Sequence, residues 1–138
     1  MQFEIFTLCD NVQTYGGKMV VVGATNCILL PSVPSMIPSI AIAIRMFFEK
    51  EETAPQNFVL SIAAPSGKLL CPDINFKGNP GKLNQSDSST VDLNCVMNNI
   101  VFSEFGTYTI VLKGLEKEYV SKFTVKNIRA IVEKNKNH

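Results

Sequence analysis

Thr107-Tyr108-Thr109-Ile110-Val111-Leu112-Lys113 alternates: Tyr108, Ile110 and Leu112 fall on one side of an extended chain, with Thr107, Thr109 and Lys113 mostly opposite. Successive side chains of a strand point to opposite faces, so this is the pattern of a strand with one buried face. Gly114-Leu115-Glu116-Lys117 then supplies a short turn. Alternation resumes over residues 119–126, with Phe123 and Val125 inward and Lys122, Thr124 and Lys126 outward. Two alternating runs across a short polar turn predict a β-hairpin.

Upstream, Phe58, Leu60 and Ile62 oppose Asn57, Val59 and Ser61 in the same way. Ala64-Pro65-Ser66-Gly67-Lys68 has proline and glycine where a tight turn wants them, so residues 68–76 are expected to return as a second hairpin strand. Residues 2–9 and 19–24 are apolar on both faces, separated by Gly16-Gly17. That pattern fits central strands, or strands covered by another element. Residues 27–30 are expected to continue the second of these after a bend at 23–26.

Residues 39–49 support two readings. Ile40, Ile42, Ile44, Met46 and Phe48 alternate with Ser39, Ala41, Ala43, Arg45 and Phe47, yet helical spacing also gathers Ile40, Ala43, Ile44 and Phe47. Alanine, methionine and glutamate favour helix and the isoleucines favour strand; the periodicity favours strand. Pro31-Ser32-Val33-Pro34-Ser35-Met36-Ile37-Pro38 holds three prolines and predicts an irregular or polyproline-like loop. Residues 78–90 read as a polar, mobile loop. Residues 127–132 fit a strand extension or a helical turn, and 133–138 a solvated end.

Short strands with regular turn signals and no long helix predict an all-β fold, a two-sheet antiparallel sandwich of about 7–9 strands. One domain over residues 1–127 and a polar C-terminal tail over 128–138 are expected, since 138 residues suit a single core.

Phe102-Ser103-Glu104-Phe105-Gly106-Thr107-Tyr108 is similar to the corner before the penultimate strand of immunoglobulin-like sandwiches. Gly106 and Tyr108 would then be structural, the tyrosine hydroxyl bonding back to the chain while its ring packs inward. The chain has no tryptophan, so an antibody-type domain is not expected. More widely, Leu8-Cys9-Asp10, Gly17-Lys18, Val22-Gly23, Arg45-Met46-Phe47-Phe48-Glu49, Pro65-Ser66-Gly67 and Phe105-Gly106-Thr107-Tyr108 resemble, in that order, a family of uncharacterised bacterial proteins known only as a domain of unknown function. The resemblance implies an immunoglobulin-like sandwich and a strand at 39–49, and carries over no catalytic residue.

The chemistry is mostly exclusion. With 13 basic and 12 acidic residues the net charge is +1, and only Arg45 and Arg129 are arginines, so no nucleic-acid partner is expected. The longest apolar run, 40–48, is about half of a membrane span and contains Arg45, so no membrane partner is expected. The first residues, Met1-Gln2-Phe3-Glu4-Ile5, do not read as a secretory signal, and a cytoplasmic location is expected. Cys9, Cys27, Cys71 and Cys95 form no Cys-x-x-Cys pair and are expected as free thiols packed like small hydrophobes.

His138 is the sole histidine and stands at the end of a polar tail, where nothing would hold it as a base or zinc ligand. Gly17-Lys18, Gly67-Lys68 and Gly81-Lys82 lack the first glycine of a phosphate loop. The run from Asp73 to Gly78 opens like a calcium loop, but Lys77 and Asn84 stand at ligand positions. Asn84-Gln85-Ser86 is a sequon without an export signal. The acids Glu49, Glu51, Glu52, Glu116 and Glu118 fall at turns, while Asp10 and Asp92 could face a groove.

No cofactor and no metal are expected. The expected function is that of a non-enzymatic protein-interaction module, with a protein partner or a homo-oligomer. Val33, Met36 and Ile37 would form the contact surface together with sheet edges; the competing reading has that loop capping the core. A carbohydrate- or small-ligand-binding sandwich using residues 78–90 and Tyr15 is the alternative, and a carboxylate-dependent hydrolase the third reading.

Overall fold

A computed structural model describes residues 1–49, 56–78, 88–114 and 116–136. The chain is mostly β, with strands β1 (Gln2–Cys9), β2 (Asn11–Tyr15), β3 (Lys18–Val22), β4 (Cys27–Leu30), β5 (Ser35–Glu49), β6 (Gln56–Ala63), β7 (Ile74–Gly78), β8 (Ser88–Phe102), β9 (Gly106–Gly114) and β10 (Lys117–Asn127), then helix α1 (Ile128–Lys136). Three sheets form: β1-β5-β8, β4-β10-β9-β6-β7, and the hairpin β2-β3. Two sheets and at most nine strands were expected; the third sheet and tenth strand come from the N-terminal segment.

The alternating runs become strands where the pattern puts them. In β6, Phe58, Leu60 and Ile62 are buried; in β9, Tyr108, Ile110 and Leu112; in β10, Phe123 and Val125. They join Ile40, Ile42, Ile44, Met46 and Phe48 of β5 and Leu93, Cys95, Met97, Ile100 and Phe102 of β8 in one hydrophobic cluster. Residues 39–49 are therefore strand: Ile40, Ile42, Ile44, Met46 and Phe48 fill this core, and the helical stripe would have left Ile42, Met46 and Phe48 outside it.

Three local expectations are corrected. The pairing is not wholly antiparallel, because β4 runs parallel to β10, from Cys27 opposite Thr124 to Leu30 opposite Asn127. The proline-rich loop is shorter than expected: β5 begins at Ser35 and includes Pro38. Ile37 pairs with Ile100 and Ser39 with Asn98, while the position between them sets Pro38, which has no N–H to give, across from Asn99 at φ 54°. Asparagine tolerates that left-handed conformation better than most residues. The inward face also shifts there, from Ile37 and Ile100 to Ile40 and Met97. Finally, the return strand after the 64–68 turn starts only at Ile74. Leu70 still donates its N–H to the Ile62 carbonyl at 2.8 Å, but Pro72 cannot continue a ladder.

Of the two readings of residues 127–132, the helical one is found: α1 begins at Ile128 and runs on to Lys136, into the stretch expected as a solvated end. The Asn127 side-chain oxygen accepts the Arg129 backbone N–H at 2.9 Å, an N-cap at the point where β10 ends.

Candidate functional site

Two features dominate the outer side of the β1-β5-β8 sheet, and both depend on what β5 places there. Its outward positions include Ala41 and Ala43, fully buried, and then Arg45. The two small side chains let the β2-β3 hairpin lie close. Val12 buries against Cys9, Ala41 and Ala43, with Ile5, Met19 and Val21 packed around them, making a second small core on the sheet's outer face. This explains why β1 is apolar on a face that simple alternation would leave polar; in β3 the contact covers Met19 and Val21, while Val20 and Val22 stay exposed.

Beyond the alanines the contact turns polar. Arg45 faces Asp92 across the β5-β8 register and binds it in a fork, Nε to Oδ1 at 2.6 Å and Nη2 to Oδ2 at 2.9 Å. Two parallel N–H···O bonds to an ionised acceptor are the strong form of this pair. Thr14 of the hairpin donates its hydroxyl to Asp92 Oδ2 at 2.9 Å and accepts from Asn94 Nδ2 at 3.0 Å, and Arg45 Nη2 reaches the Gly17 carbonyl at 3.3 Å. The network therefore pins the hairpin tip to the sheet. The Arg45 guanidinium holds the Asp92 carboxyl below the usual carboxylate range, with Thr14 assisting against the opposing effect of burial. Asp92 raises the Arg45 pKa in return. Asp10 lies at the other end of the hairpin, against Gly23, with its N–H on the Val22 carbonyl. The two acids that could have shared a groove are thus separated, one spent on an arginine.

The second feature is the edge of β8. Among the described residues it pairs on one side only, with β5. Fifteen residues long, it carries one charge, Asp92, which Arg45 already neutralises, and neither lysine nor proline. Outward it shows Asn94, Val96, Asn98 and Val101, with Val96 47% and Val101 48% exposed. Lysine, proline or brevity usually protects such an edge. Sequence reasoning passed over this strand, although Leu93, Cys95 and Met97 alternate with Asn94, Val96 and Asn98 and were the signal available.

The residues chosen from the sequence separate in the structure. Val33 and Ile37 pack against the main core, while Met36 is 56% exposed and pairs with Val101. Only Met36 is left on the surface beside the β8 edge. At the corner, Tyr108 is buried and donates its hydroxyl to the Glu104 carbonyl at 2.9 Å. Its ring stacks on Phe123 at 5.1 Å and meets Phe102 edge-on at 5.5 Å. Gly106 has φ 126°, and a Cβ there would stand 2.8 Å from Pro65 Cγ, so both backbone angle and space call for glycine. The Glu104 carboxylate accepts from Ser66 N and Oγ at 3.1 and 2.6 Å, tying the 64–68 turn to the corner.

A cavity of about 210 Å³ lies beside this corner, lined by residues that include Leu69, Val101, Ser103 and Glu104. That is smaller than the roughly 300–1,000 Å³ of ordinary ligand pockets. Glu116 and Glu118 line an open depression with Lys113 and Lys117, and Glu118 stands 3.4 Å from Lys113, both side chains 61% exposed. Tyr15, at the hairpin tip, is 81% exposed. Most of the 78–90 loop, the sequon, Glu51, Glu52 and His138 lie outside the described residues.

All four cysteines are free thiols, Cys9 and Cys95 buried. Burial pushes Cys95 up to about 11 and, with Asp10 nearby, also raises Cys9; Cys71 is raised by burial and then by Asp73. Among the described residues no three acids, cysteines or histidines gather as a metal site, and no helix is long and apolar enough to cross a membrane.

These features define the class: a mostly β chain of several sheets, with a hairpin clamped on one face and a long open edge beside it. The model of the family described as Family of unknown function (DUF6941) matches residues 4–122, from β1 into β10, and the chain belongs to that family. No curated protein matches it.

Proposed function

We propose that this chain is a non-enzymatic protein-interaction module on an immunoglobulin-like sandwich, and that it takes a partner's strand along the open edge of β8. The strand order supports the sandwich reading. In sequence rank, β1-β5-β8 corresponds to A-B-E and β10-β9-β6-β7 to G-F-C-C′, and Tyr108 sits where the tyrosine corner of such folds belongs. Their buried faces share one core.

The observation that carries the interaction reading is the edge itself. A strand with unpaired N–H and C=O groups, no protective charge and exposed valines is a template for β-augmentation, in which main-chain hydrogen bonds supply affinity and alternate side chains supply selectivity. Selection from a phage-displayed peptide library tests it. Peptides should be recovered on the native chain, should slow amide exchange in β8, and should be lost on a Val96→Lys, Asn98→Lys variant that still melts like the parent. Recovery of no peptide, or of peptides indifferent to the two lysines, would overturn the reading.

A further inference from the structure

We infer that the strand which fills the β8 edge is the β8 of a second copy of this chain, in antiparallel register about a two-fold axis at Val96; this rests on the edge reading above. The middle of the strand, Asn94-Cys95-Val96-Met97-Asn98, is nearly palindromic in chemical type. Folded onto itself about Val96, it sets Asn94 of each copy across from Asn98 of the other and Val96 across from Val96, all on the outer face. Cys95 comes opposite Met97 on the inner face.

Directly opposed residues in an antiparallel pair are the unit of sheet stabilisation. Within residues 94–98 each pair matches like with like: amide on amide, valine on valine, sulfur on sulfur. Asn94 uses Nδ2 on Thr14 within its own chain, which leaves its carbonyl oxygen as the acceptor for the facing Asn98 amide.

Charge allows the same pairing. Two-fold symmetry brings a charge that lies close to the axis up against its own copy, and lysines along an edge keep such strands apart. The only charge on β8 is Asp92, held by Arg45 at 2.6 Å and displaced four positions from the axis, where it faces Ile100. No like charges oppose each other. A one-residue slip would instead set Val96 against Met97 across the two faces and lose the asparagine pairs, so the register is specified. Asn99, at φ 54°, turns the edge aside and limits the regular run to its N-terminal side. Pairing therefore centres on residues 94–98 and joins two three-stranded sheets into one of six.

Sedimentation velocity across a micromolar concentration series provides the test, with Val96 as the on-axis probe because it alone meets itself. The parent chain should be a dimer, and the amides of residues 94–98 should exchange more slowly as concentration rises. Val96→Lys and Val96→Glu, each placing like charges at the axis, should weaken dimerisation by about a hundredfold. Mixing the two variants should restore a mixed dimer. A dimer indifferent to Val96→Lys, or variants that stay apart when mixed, would overturn the register. A chain monomeric at every concentration, with unchanged exchange at 94–98, would overturn the second copy as occupant. Peptides recovered on such a monomer would leave the edge reading standing with a different strand in place. Should either variant melt early, the concentration dependence of parental exchange decides alone.

Discussion

The Arg45-Asp92 fork commits two opposite charges to partly buried positions, with side chains 19% and 14% exposed. Its contribution can be separated by pH. The folded-state pKa of Asp92 lies below its ordinary value. The stabilisation is therefore fully present above the unfolded carboxyl pKa, near 3.9, and is lost as pH falls through the depressed folded value. Asp92→Asn should lower unfolding free energy by about 2 kcal/mol at neutral pH, the scale of hydrogen bonds to a charged group. The gap to the parent should narrow steadily as urea melts are repeated below pH 4. A gap that is constant across that range would mean the charge contributes nothing. Sequence alone showed both residues and not their meeting: Arg45 and Asp92 are 47 positions apart, and only the strand register sets them opposite each other.

At the scale of the element, the hairpin β2-β3 is held by a small apolar patch and a polar clasp and is the part most readily separated from the rest. Replacing Val12 by Ala removes most of the side chain that fills the outer core, at a cost of about 1–2 kcal/mol. Amide exchange should quicken across residues 11–22 and remain unchanged in β6, β9 and β10; a uniform rise would show that the hairpin and the main core open together. This element also marks where the sequence stopped being readable. β6, β9 and β10 have one wet and one dry face, so their period of two is visible. β1 packs on both faces, and a pattern apolar on both faces does not say what covers it; β3 is apolar on both faces with only Met19 and Val21 covered. The prolines misled in a related way: Pro38 was read as a breaker, yet it fits a strand because Asn99 opposite bends the partner. Val33, Met36 and Ile37 were grouped by the company of those prolines, whereas two of the three face the core. The β8 edge was out of reach for a different reason. Being an edge is a property of strand order, which local periodicity does not encode.

For the molecule as a whole, the two buried thiols report on different cores. Cys95 lies in the cluster shared by both large sheets, and its pKa of about 11 leaves almost no thiolate at neutral pH. Cys9 lies under the hairpin. A thiol reagent applied to the native chain at pH 8 should therefore modify Cys9 at the rate at which the hairpin lifts and Cys95 only at the slower rate of global unfolding. Equal rates for the two, followed by mass spectrometry of the labelled peptides, would mean one cooperative unit instead of a core with a lifting flap.

The chain's path through its first thirty residues has one more consequence. β1 belongs to one large sheet and β4 to the other, and the hairpin is the stretch of chain that leads from one to the other. A single cut at the exposed Gly16-Gly17 turn would leave β1 and β2 as a short piece still zipped to β5 and β3, and β4 still aligned on β10. The severed fragments should therefore stay together without a covalent link and reassemble after mixing, which makes that turn the natural place to divide the protein into two complementing parts.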